Sequence, residues 1–115
     1  KLGSKTVQAW RNSLKARPPP HPSTSDPYFP GNDERYHDLS PDQIPYTESL
    51  LDTMARAVPL WEYKIRYDIL NGNNVMVVAH GNTLRGLVKT IDSITDQDIE
   101  DVVLPVGTYD YTFVY

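Results

Sequence analysis

Apolar positions recur along this chain at helical spacing in three places. Over residues 4–16, SKTVQAWRNSLKA, Val7, Trp10 and Leu14 fall at i, i+3 and i+7, one face of an amphipathic helix. A longer stripe of Leu51, Met54, Val58, Trp61, Ile65 and Ile69 predicts the longest helix over about residues 47–71, with Thr47 as N-cap and Asn71-Gly72-Asn73 as its stop. Pro59 lies inside that stripe and is expected to kink the helix or split it in two. Leu84, Leu87, Val88 and Ile91 form the third stripe, and Thr95 caps a short acidic helix over residues 95–101. Two segments break the helical period. VMVVA, residues 75–79, is the continuous apolar run expected of a strand buried on both faces, and residues 109–115 suggest a closing strand.

Most of the ten prolines fall in residues 17–46, between the first two helical patterns. Proline at that density blocks helix and sheet interiors alike, so a long irregular loop is predicted there. Such loops are usually functional lids or disordered linkers, and Tyr28, Phe29, Tyr36 and Tyr46 favour an ordered loop that packs on something. The order helix, loop, helix, strand, helix, strand implies an α/β fold with a mostly parallel sheet. Two strands are too few for a sheet covered by helices on both faces, so the remaining strands are expected elsewhere in a larger domain.

Composition narrows the function classes. The chain has 115 residues, room for one small domain, and a formal net charge of −4 with both signs interspersed. There is no basic field of the kind nucleic-acid binding requires, although a few arginines could still converge on a small anion. Cysteine is absent, which excludes disulfides, thiolate catalysis and a Cys-ligated zinc. The start carries no basic-then-apolar signal pattern, and no apolar run has membrane length, so neither secretion nor membrane insertion is expected.

The candidate chemistry lies at VMVVAHGNTLRG, where the apolar run passes into His80-Gly81-Asn82 and then into a helix. Ligands of open parallel sheets bind beyond the carboxyl ends of the strands, where His80 would stand. Gly81 would let a ligand approach the backbone, and the amides of Asn82 and Thr83 would open the helix as an anion site. A histidine there can donate to a phosphoryl oxygen or stabilise charge developing during transfer. Arg85, one turn on, could face the ligand or pair with an acid. The plainer alternative is that His80 caps the junction and Gly81 serves the turn, and a short motif by itself does not separate the two.

The motifs around that junction resemble the bisphosphoglycerate-dependent phosphoglycerate mutases of the histidine phosphatase superfamily. VMVVAHGNTLRGLVK is similar to their second histidine segment, and TVQAWRNSLKARPPP to their Val-x-x-Trp-Arg-Arg helix and proline-rich stretch. DERYHDLSPDQIPYTESLLDTMARAVPLWEYKI and ITDQDIEDVVLPVGT resemble the segments on either side, so the resemblance spans essentially the whole chain in order. It implies that residues 1–115 are the C-terminal half of a single three-layer α/β/α domain about twice as long, whose N-terminal strands are missing here. It also implies interconversion of 2- and 3-phosphoglycerate in glycolysis through a phosphohistidine primed by 2,3-bisphosphoglycerate. It further implies that no metal takes part, that the protein is cytoplasmic, and that the full-length form is a dimer or tetramer.

Carried onto this sequence, the resemblance makes His80 the transition-state-stabilising histidine and Gly81 and Asn82 the phosphate-binding pair after it. Arg11 corresponds to the first of two adjacent substrate-binding arginines; the second position is Asn12, which removes a bidentate phosphate donor. Val106 for the usual Thr and TYDYTFVY at the end are further departures. The nucleophilic histidine of an Arg-His-Gly motif and the catalytic acid are not in this chain, because His21 follows three prolines and His37 lies in the loop. These departures leave room for a phosphatase of the same superfamily, or for a non-catalytic paralogue that only binds phosphorylated ligands. Elsewhere, Arg35-Tyr36 is expected to pack, His37 to be a surface histidine, Asp96, Asp98, Glu100 and Asp101 to be solvated, and Trp10 and Trp61 to be core aromatics.

Overall fold

A computed structural model describes residues 3–21, 23–105 and 107. Among these residues all regular structure is helical, in the order α1 (Ser4–Asn12), three 3-10 turns, α2 (Leu50–Leu60), a π-helical segment (Trp61–Ile65), α3 (Arg66–Leu70), α4 (Gly81–Ile91) and a last 3-10 turn (Asp98–Asp101). This corrects the expected three-layer α/β/α sandwich with a mostly parallel sheet, since no strand is found among the described residues. The segment 75–79 has no regular structure and no partner strand among the described residues, and Met76 and Val78 are 79% and 83% exposed. Its valines satisfy strand propensity, but a strand exists only where a neighbour supplies a hydrogen-bonding ladder, and the described chain on either side is helix, turn or proline-rich loop. The closing strand expected over 109–115 lies outside the described residues.

Local chemistry explains the helix boundaries. The long helix starts at Leu50 rather than near Thr47 because Ser49 and Asp52 form a capping box: the Asp52 amide donates to Ser49 Oγ (3.2 Å) while the Ser49 amide donates to Asp52 Oδ2 (2.8 Å). Thr47 instead donates its hydroxyl to the Pro18 carbonyl, tying down the end of the loop. Pro59 lies in the last turn of α2, and the α-helix is interrupted just beyond it. It has no N–H for the α-helical ladder, and after Leu60 the backbone passes into the π-helical segment before resuming as α3.

α2 packs on α4, and two apolar clusters hold the molecule together. Leu14, Leu50 and Ile99 form one, with Met54, Ile94 and Val102 against it; Trp61, Ile65 and Leu87 form the other, with Ala57, Ile69 and Ile91. Trp61 is thus core, Trp10 is half-buried, and Leu51, counted in the predicted stripe, is exposed while its neighbour Leu50 is buried. Gly86 permits the close approach of α2 and α4, since a Cβ there would lie 2.6 Å from Met54 Cγ.

The proline-rich loop is ordered through its own side chains. Phe29 is buried against His21 (centroids 5.8 Å apart) and Tyr46 (5.0 Å), and the His21 amide donates to the Tyr46 carbonyl. Tyr28 and Tyr36 contribute little to that packing and are exposed. Arg35 pairs with Asp33 and stands over the Tyr36 ring, a local contact rather than an anchor to the helices.

Candidate functional site

α4 begins at the residue singled out in the sequence. His80 is its N-cap in extended conformation (φ −63°, ψ 148°), and the Asn82 amide donates to His80 Nδ1 (3.3 Å) while the Leu84 amide donates to the His80 carbonyl. An imidazole nitrogen that accepts a hydrogen bond carries no proton, so His80 is in the tautomer with its proton on Nε2. The exposed ring therefore offers Nε2–H as a donor. The capping role and the phosphate-donor role, set apart as alternatives in the sequence, use different nitrogens and are compatible.

The first-turn amides of a helix have no intrahelical partner. Here His80 occupies that of Asn82, which leaves Gly81 and Thr83 to present their N–H groups with the positive end of the helix dipole. Gly81 has ordinary helical geometry, and a Cβ built on it meets nothing within 4 Å. The fold thus makes no demand for glycine at this position, and the space over its backbone is open.

Arg11 and Asn12 are the last two residues of α1, far from α4 in sequence. Arg85 brings them to it. Its Nη1 donates to the Arg11 carbonyl (2.6 Å) and, more weakly, to Asn82 Oδ1 (3.4 Å); its Nη2 donates to the carbonyls of Asn12 (3.1 Å) and Ile99 (2.6 Å). The end of α1 and the first turn of α4 therefore meet on a single guanidinium. The Arg11 side chain is exposed and has no ion pair among the described residues. Burial pushes Arg85 below the ordinary arginine range, with the charge of Glu100 acting the other way. An arginine remains cationic under such a shift.

Sequence reasoning gave Arg85 two roles, ligand contact or acid pairing; among the described residues no carboxylate is ion-paired to it, and its guanidinium is engaged elsewhere. It holds main-chain carbonyls, a role with no signature in residue identity. The other histidines stand apart in function: His21 packs on Phe29, and His37 lies 3.0 Å from Asp38 on the loop surface. A groove of about 440 Å³ runs along the Lys5, Gln8 and Asn12 face of α1 towards Glu100, so the concave surface next to Asn12 does not include His80. No cluster of three or more His, Cys, Asp or Glu able to hold a metal is found among the described residues. Nor is any of their helices long and apolar enough to cross a membrane.

These features define a small helical unit with a histidine-capped helix N-terminus, open to solvent and joined to an arginine-bearing helix end. No protein-family model matches the chain.

Proposed function

We propose that this chain binds the phosphoryl group of a small phosphorylated glycerate at the N-terminus of α4, as one half of a phosphoglycerate mutase site. The observation that carries the reading is the meeting of Arg11 and Asn12 with the His80-Gly81-Asn82 turn, two segments separated by the whole proline-rich loop and α2. The amides of Gly81 and Thr83 and the Arg11 guanidinium would hold the non-bridging oxygens, and His80 Nε2–H would donate to the oxygen that gains charge in transfer. In this reading the accepting imidazole and the proton-shuttling carboxyl group belong to residues outside these 115. 2,3-Bisphosphoglycerate primes the imidazole, no metal is required, and the assembled enzyme is a cytoplasmic homo-oligomer acting in glycolysis.

A binding-only role is the second reading, favoured by one observation. Asn12 stands where the resemblance places a second substrate-binding arginine, which removes a bidentate phosphate donor. The two are separated by incubating the full-length protein that carries this chain with 3-phosphoglycerate and 2,3-bisphosphoglycerate. The mutase reading expects 2-phosphoglycerate to accumulate and acid-labile phosphate to appear on the protein. Hydrolysis without isomerisation would replace it by phosphatase action, and the absence of both by binding alone.

A further inference from the structure

Arg85 is only 7% exposed, a costly position for a guanidinium, and no carboxylate is in contact with it among the described residues. Its partners are three main-chain carbonyls and one side-chain amide oxygen, and its Nε is buried with no hydrogen-bond partner. The carbonyls of Arg11 and Asn12 end α1 and carry the negative pole of that helix, so a cation is well placed beside them. Those contacts stabilise the cation without neutralising it. Glu100 offsets part of that charge without an ion pair, so a buried cation remains one turn behind the open amides of α4, where an anion would sit.

A purely architectural tie could be made by an uncharged side chain at less desolvation cost. We propose that Arg85 is a positioning residue of the phosphate site: its fork fixes Arg11 and Asn12 against Asn82, and its buried charge raises the affinity of the α4 N-terminus for a phosphoryl group. The inference rests on the phosphate-binding reading above. It makes the site a coupled unit, in which an anion arriving at Gly81 and Asn82 is also sensed at the end of α1.

The test is a titration of 2,3-bisphosphoglycerate into the 15N-labelled full-length protein that carries this chain and into its Arg85→Lys and Arg85→Met variants, followed at individual backbone amides. In the unaltered chain the amides of Arg11 and Asn12 should shift together with those of Gly81, Asn82 and Thr83. Arg85→Lys keeps the charge but loses the planar fork, so affinity should fall by about tenfold and the Arg11 and Asn12 amides should stop responding while those of α4 still do. Arg85→Met should bind more weakly still, with the Trp61 environment between α2 and α4 unchanged. If Arg85→Met does not fold, Arg85→Lys alone decides. Equal affinity and an intact joint response in the variants would overturn the positioning role and leave the phosphate reading standing. Silence in the unaltered chain would overturn both.

Discussion

At His80 one ring serves two purposes because its nitrogens are inequivalent: Nδ1 closes the helix cap and Nε2–H remains outward. Gly81 beside it shows the separation of stability from function most directly. Its φ is ordinary for a helix and its surroundings are empty, so alanine should fit and should raise helix stability by about 0.5–1 kcal/mol. The same methyl group would stand where a phosphoryl oxygen must approach the backbone. Gly81→Ala is therefore expected to raise the melting temperature while weakening 2,3-bisphosphoglycerate binding; a variant that binds as well as the parent would show that Gly81 makes no close approach to ligand. The helix start at His80 and Gly81 was legible from its place before a helical period. Arg85 was visible as a residue but its work was not, because its partners are backbone oxygens brought in by tertiary packing.

The elements obey local chemistry where local chemistry is sufficient. The capping box of α2 is written in Ser49 and Asp52, and the π-helical segment begins two residues after Pro59. Asp52 illustrates how much one side chain holds: it closes the cap and accepts from Arg17 Nε (2.7 Å) and Nη2 (2.6 Å). The Arg17 guanidinium, then the Ser49 amide and hydroxyl, hold its carboxyl well below the usual carboxylate range. A depressed folded-state value means that the unfolded chain takes up the proton first, so this contribution is complete above the unfolded value of about 4 and is lost as pH falls through the folded one. Chemical denaturation at a series of acidic pH values should show stability declining below about pH 4, with a shallower decline in Asp52→Asn. An identical slope in the variant would mean that the cap and ion pair contribute nothing. Helix periodicity was legible because each stripe is complete within its own segment. The strand at 75–79 was misjudged for the opposite reason: apolar β-branched composition is local, whereas a sheet requires a second segment that the described residues do not provide.

The whole molecule is looser than a compact domain of its length, with a radius of gyration of 16.1 Å against about 13 Å expected for 115 residues. Two small clusters, one around Ile99 and one around Trp61, carry the packing, while Leu60, Tyr63, Tyr67 and Leu70 stay exposed along α2 to α3. The candidate site lies where these clusters join: α4 contributes Leu87 to one and anchors the other through the contact of Arg85 with the Ile99 carbonyl. Anion binding at this point is the part of the proposal that can be tested before any question of turnover. The central claim is tested most directly by titrating the full-length protein that carries this chain with 2,3-bisphosphoglycerate and mapping the response residue by residue. The account predicts saturable shifts centred on Gly81, Asn82 and Thr83 and extending to Arg11 and Asn12, weakened by salt as an electrostatic contact must be. Shifts confined to the groove along Lys5 and Gln8, or none at all, would contradict it.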